Sequence, residues 1–271
     1  MHDQTRQEHS LPRLGVVRLI SLGTALYLIL LIVTAPAAAM AWMLERVSHQ
    51  SVVLSQPQGS FWQGEATNML LRIKGQNDIS LGSLHWDLRW SSVVRGEVSV
   101  LLELASPGLR ASRGIVSAGW NTLRLSQIDL RFPAALAAQI FPLLQIWQPE
   151  GELHFFSDDF AFSRRSTHGT AQLEWRDASS KLTKVNPLGT YQATLTGPGE
   201  HPGVSLQVKT LSGPLNVIGS GAWSPQNRLN FAGIARPDAS AKKELQSFLQ
   251  LWSKEQGDGS YQIAFTSANT Q

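Results

Sequence analysis

The side chains best suited to proton transfer or metal ligation are five histidines beyond residue 45: His49, His85, His154, His168 and His201. They are widely separated and form no H-E-x-x-H run or paired spacing, so a zinc site would have to be gathered wholly by the fold. Asp158–Asp159 is the only adjacent carboxylate pair. On a strand the two would diverge to opposite faces, poor geometry for shared acid–base work; between Phe156 and Phe160 they read better as a surface loop. Glu150 and Glu152 share a face but bracket Gly151 beside Pro149, a turn pattern. Gly219–Ser220–Gly221 lacks the spacing of a nucleophile elbow, and there is no phosphate loop or dinucleotide fingerprint. With 0 cysteines, thiolate clusters, disulfides and cysteine nucleophiles are excluded. The sequence therefore offers no catalytic, metal or cofactor-binding residue. Its 23 Lys+Arg against 20 Asp+Glu are dispersed, which leaves no nucleic-acid footprint.

The elements that carry these residues are strands. Leu84, Trp86, Leu88 and Trp90 alternate with His85, Asp87 and Arg89, which places His85 on a wet face opposite a dry one. The same period of two runs through Val98–Leu104, Ala171–Trp175, Tyr191–Leu195, Val204–Val208, Leu229–Gly233 and Tyr261–Phe265. Glycine and proline punctuate the intervals, among them Gly82, Pro107–Gly108, Gly169, Gly197–Pro198–Gly199 and Gly219–Ser220–Gly221. Many short strands wet on one face predict a mainly β chain with an antiparallel, curved sheet.

Two helices are expected to pack over this sheet. One opens at Pro133, with Leu136, Ala137, Ile140 and Leu144 on a stripe that Pro142 should end or kink. The other is capped by Asp238 and runs to Trp252, with Leu245, Phe248, Leu249 and Trp252 on one face. Eight tryptophans lie in this region, read as core packing first and as a partner surface second. Trp86 and Trp175 stand 89 residues apart, and Pro57-x-Gly59 and Pro149-x-Gly151 stand 92 apart, an echo of two similar β halves.

Residues 19–44 carry no charge, with Arg6, Arg13 and Arg18 before them and Glu45 and Arg46 after. One helix of that length would reach roughly 39 Å, enough to cross a ~30 Å hydrocarbon core, and the arginines would keep the N-terminus cytoplasmic. Small residues at Ala37, Ala39 and Ala41 allow a cleavage reading, but the length of the run and Trp42 favour an uncleaved anchor. The expected organisation is a cytoplasmic tail over 1–18, a transmembrane signal-anchor over 19–44 in membrane lipid, and a periplasmic β-rich domain over 45–271.

Gly59-Ser-Phe-Trp62-Gln-Gly64 resembles the G-[ST]-Φ-W-x-G signature of the type II secretion system protein N (general secretion pathway protein N) family. Leu84-His-Trp86-Asp-Leu88, Gly151-Glu-Leu153, Gly169 through Trp175, Leu188-Gly189-x-Tyr191 and Leu211-Ser-Gly213-Pro-Leu215 follow in the family's order. The signature reads as structural: Gly59 and Gly64 allow a tight strand entry and exit, and Trp62 fills the space between sheet and helix. The resemblance implies a single-pass accessory component of the bacterial inner membrane, not an enzyme, with other secretion components as partners. A distant similarity to AsmA-like proteins implies an alternative, an envelope lipid-binding or lipid-transfer module with lipid in an apolar β groove.

Overall fold

The computed structural model describes residues 13–73, 77–89, 96–106, 111–140, 142–225, 228–251 and 253–266. The tail before residue 13, Trp90, Pro107–Gly108 and Trp252 lie outside the described residues. The described chain forms β1 (Val52–Gly59), β2 (Gln63–Leu71), β3 (Ile79–Ser80), β4 (Ser83–Arg89), β5 (Val98–Ala105), β6 (Ser112–Ala118) and β7 (Thr122–Pro133). It continues through β8 (Pro149–Ser163), β9 (Thr167–Ser180), β10 (Gly189–Thr196), β11 (Val204–Ser212), β12 (Leu215–Ser224), β13 (Arg228–Pro237), β14 (Lys254–Glu255) and β15 (Tyr261–Thr266). These pair antiparallel in one open sheet, almost wholly in chain order; β3 branches onto β2, and β15 precedes the edge strand β14. Both halves of the echo thus belong to one continuous meander.

One face is apolar across the whole sheet, because registered partners are apolar together. Trp86 faces Leu102, Leu153 faces Trp175, Trp175 faces Tyr191 and Phe231 faces Phe265. The sheet rolls around this face. Phe162 on β8 and Trp223 on β12 bring their rings to 5.7 Å, although in a flat sheet four strand steps of about 4.8 Å would separate those strands by roughly 19 Å.

The two longest strands are not marked by simple alternation. β7 and β8 share an irregularity where Gln127 and Asp158 stand between the pairs Ser126↔Asp159 and Ile128↔Ser157. Before it Leu153 and Phe155 pair with Phe132 and Leu130; after it Phe160 and Phe162 pair with Leu125 and Leu123. Register between β7 and β8 is kept, but each carries one extra residue against its outer neighbour, β7 against β6 between Ser126 and Asp129 and β8 against β9 between Phe156 and Asp159, which switches the apolar frame from odd to even positions. Asp158–Asp159 therefore sits inside β8, where a surface loop was expected. Gly151 is likewise a bulge within β8, with φ of 99°, and not a turn. Gly219 and Gly221 lie inside β12, where a Cβ on Gly219 would come within 2.4 Å of the Phe231 ring. Those glycines make room for an aromatic ring and do not mark a chain reversal.

The uncharged N-terminal run is divided. α1 (Arg13–Val33) ends before Pro36, and α2 (Ala37–Val47) begins after it. Proline lacks the N–H that would continue the ladder of α1, so the single helix expected over 19–44 breaks there. Among the described residues no helix is long and apolar enough to cross a membrane. α2 instead packs Ala37 and Met40 onto Leu54, Ala66, Leu84, Trp86 and Leu88.

In the middle of the chain α3 (Ala134–Ile140) and α4 (Pro142–Gln145) cover the sheet. Pro142 ends the first helix and opens the second, and the buried stripe is Ala134, Ala137 and Ala138. α5 (Lys242–Gln250) buries Leu245, Phe248 and Leu249 as expected. It starts later than its sequence suggests: Ala241 is the N-cap, and Asp238 supplies only a carbonyl to Ala241 N–H at 3.0 Å.

Candidate functional site

The family-like signature builds a collar around the end of α1. Gly59 takes φ of 92° and leads into the β1–β2 turn, where Ser60 N–H donates to the Gln63 carbonyl at 2.8 Å. A Cβ on Gly59 would lie 2.7 Å from that same carbonyl oxygen, so glycine is required. The turn then reaches out to the chain ahead of it. Trp62 Nε1–H donates to the Ile32 carbonyl at 2.9 Å, and Phe61 N–H donates to the Ala35 carbonyl at 2.8 Å. The Ile32 carbonyl, in the last turn of α1, also accepts from Ala35 N–H at 3.3 Å, and the Ala35 carbonyl lies in the link to α2. Trp62 packs partly buried against the core beneath α2, and its indole tethers the turn to α1.

Gly64 is the floor on which Trp86 rests. The two are directly opposed on β2 and β4, and a Cβ on Gly64 would fall 2.5 Å from the Trp86 ring. Trp86 is 1% exposed and donates Nε1–H to the Phe61 carbonyl at 3.2 Å. Gly64 therefore serves a ring inside a strand, where a tight strand exit was expected.

The remaining signature residues form a second group, far along the sheet. Trp175 Nε1–H donates to the Glu150 carbonyl at 2.9 Å, next to the Gly151 bulge. Its ring lies 6.0 Å from that of Tyr191. The Tyr191 hydroxyl lies 3.1 Å from the Leu188 carbonyl and 3.0 Å from the Leu215 carbonyl and donates to one at a time. Burial pushes the Tyr191 phenol above its ordinary range, so it remains a donor. Gly189 and Gly213 cross closely, a Cβ on Gly213 meeting Gly189 Cα at 2.2 Å. The structure thus brings Gly59, Trp62, Gly64 and Trp86 together, and separately Gly151, Trp175, Gly189, Tyr191 and Gly213.

That second group borders an apolar groove of about 480 Å³ on the rolled face. Its walls are Leu153, Leu173, Trp175, Tyr191, Ala193 and Phe231, roofed by Ala137, Leu144 and Trp147. A contiguous apolar space of about 200 Å³ extends beneath Phe248 of α5, sharing Trp175, Tyr191 and Phe265. Among the described residues no charged side chain lines either space. The groove can hold an apolar chain.

The opposite face carries a charged ladder. His154 Nε2 lies 2.8 Å from Asp129 Oδ1, Arg131 Nε donates to the same oxygen at 3.3 Å, and Arg176 bonds Glu174 at 2.9 Å. Burial pulls the Asp129 carboxyl up, but the bonds from His154 and Arg131 outweigh it and hold the group below its ordinary range. Among the described residues no three His, Asp or Glu side chains cluster as a metal site. Sequence reasoning missed the His154–Asp129 pair, which needs strand register. It also missed the role of Trp147, which reaches Phe265 at 6.0 Å across the groove. Pro36 was the legible signal for the break that creates the collar.

The comparisons agree with one another. A family model described as type II secretion system (T2SS), protein N, matches residues 50–264. The chain is 26% identical over 227 residues to a Klebsiella pneumoniae protein named type II secretion system protein N, spanning 80% of this chain and 82% of that one. It is 25% identical over 224 residues to the protein of the same name from Vibrio cholerae serotype O1, spanning 78% and 83%. No solved structure matches.

Proposed function

The chain belongs to the type II secretion system protein N family and is an accessory component of type II secretion; we propose that it works there by protein–protein interaction, as a periplasmic sheet held to the inner membrane by α1. The observation that carries this reading is the collar, which grips the end of α1 through Trp62 and Phe61. Every described α1 side chain from Arg18 to Val33 is exposed, and nearly all are apolar. A soluble protein rarely leaves so much apolar surface uncovered. The uncharged stretch of α1 is short for a bilayer, and the Arg18 stem can extend it by keeping the guanidinium at the headgroups. The arginines before it favour a cytoplasmic N-terminus. In this role the residues bind and position other secretion components, and no catalytic step is assigned to them. Deleting the gene should abolish or sharply reduce export of the bacterium's type II substrates, with the substrates retained in the periplasm. Unchanged export, without co-purification of other secretion components, would contradict the reading.

A second reading rests on the groove: a lipid-binding or lipid-transfer part compatible with the first. Its apolar walls and volume of about 480 Å³ suit an acyl chain. Native mass spectrometry of the full chain should find phospholipid on the wild type and little on Ala193→Trp, which fills the space. Equal occupancy of the two would remove this reading.

A further inference from the structure

The end of α1 meets a particular rim of the sheet. The Trp62 carbonyl accepts from Leu88 N–H at 2.7 Å, so β4 ends beside the collar. In an antiparallel meander, successive hairpin tips on that side follow in order: Gly119–Thr122 between β6 and β7, then Ser163–Ser166 between β8 and β9. From β2 to β7 there are four strand steps, roughly 19 Å along the rim.

Those two tips are unlike ordinary turns. Trp120, at the apex of the first, is 96% exposed. Leu123 beside it is also exposed, and Arg164 and Arg165 are exposed on the second. Thr122 and Ser163 are register partners, so the tips are adjacent, and Trp120, Leu123, Phe162 and Arg164 share a hollow of about 280 Å³. Arg124 is satisfied by Asp159 at 3.2 Å, and Glu97 lies against Gly119. Among the described residues Arg164 and Arg165 enter no ion pair. An indole fully in water is uncommon, because its apolar body and N–H fit the headgroup level of a bilayer. Neighbouring arginines favour anionic headgroups there.

We propose that the rim formed by Trp120, Leu123, Arg164 and Arg165 seats on the periplasmic surface of the same bilayer that holds α1, with the indole among the headgroups and the arginines on anionic lipid. This inference rests on the membrane placement of α1. It gives the sheet a second point of attachment and so fixes its tilt, with α3, α4 and α5 on the opposite rim directed away from the membrane.

The absence of native cysteine allows single thiols to carry a fluorescent dye in the full chain. Leu26→Cys reports on α1, Asn121→Cys on the proposed rim and Leu182→Cys on the opposite rim. The protein is reconstituted in phosphatidylethanolamine–phosphatidylglycerol vesicles containing lipid with a nitroxide near the headgroup. The nitroxide should quench the dyes at 26 and 121 and spare the dye at 182. Adding Arg164→Gln and Arg165→Gln, or omitting phosphatidylglycerol, should weaken seating at 121 by roughly fivefold per charge. Adding Trp120→Ser should weaken it further. Quenching at 26 with none at 121 would overturn the rim inference and leave the anchor standing. A dye at 121 shielded from a water-soluble quencher yet untouched by the lipid nitroxide would mean that protein covers the rim, and would also overturn it. Loss of quenching at both 26 and 121 would remove the anchor and the inference together.

Discussion

Trp86 and Trp175 are the same device in two settings. Each indole donates to a backbone carbonyl 25 residues upstream, Phe61 in one case and Glu150 in the other. Each stands on a strand covered by a helical segment that precedes the pair, α2 for the first and α3 with α4 for the second. The two regions are offset by 89 residues, and under that offset Gly64 corresponds to Leu153. This difference sets how deep each ring lies. Gly64 faces Trp86 and lets the ring sink to 1% exposure. Leu153 faces Trp175 and props the ring up, where it becomes a wall of the groove. The covering helix differs too, since α2 is one run of 11 residues and its counterpart is broken into 7 and 4. A closed copy fixes the chain to α1, and an open copy is left available to a guest.

The comparison can be broken first at the tryptophans. Trp86→Ala should cost about 3–5 kcal/mol, the range for emptying a filled core site, while Trp175→Ala should cost less than half as much. Urea unfolding in detergent micelles would measure both, and equal losses would erase the distinction between closed and open copies. Gly64→Ala should cost about 1–3 kcal/mol, because its Cβ would meet both the Trp86 ring and the Gln58 carbonyl at a distance where something must shift. Trp62→Phe keeps the ring and removes the donor to Ile32, a loss of about 1 kcal/mol. Its clearest sign should be faster amide exchange in the last turn of α1 than in α2.

The smallest effect concerns pH. Asp129 has a folded-state pKa below its ordinary value of 3.8. Its contribution is therefore present above about pH 4 and is lost as pH falls through the depressed value. The carboxylate is substantially exposed, so the amount is well under about 1 kcal/mol. Asp129→Asn should lower the melting temperature slightly at neutral pH and leave it unchanged once the pH is below the depressed value, so that the acid limb flattens.

Much of this was legible in the residues. The alternation through Trp86, Trp175 and Tyr191 marked strands and their dry face, and Leu245, Phe248 and Leu249 marked the buried side of α5. The family signature was readable as architecture around Gly59 and Trp62. What escaped reading has a common cause, which is dependence on partners distant in sequence. The frame switch at Gln127 and Asp158 hides β7 and β8 from any test of period two. Gly219 and Gly221 resemble turn residues until Phe231 is seen to lie against them. The groove exists because the sheet rolls, and rolling is a property of many strands together. Pro36 lies inside the uncharged run, and a reading by length and charge alone passes over the break its missing N–H makes.

The contrast between the two copies is tested most directly by thiol labelling at their equivalent leucines. Leu84→Cys and Leu173→Cys are small changes at positions 89 residues apart, one in the collar core and one in the groove wall. In the folded protein a small maleimide should modify the thiol at 173 readily and the thiol at 84 only after denaturation. Equal labelling rates in the native state would show that the copies are alike and that the groove is not open.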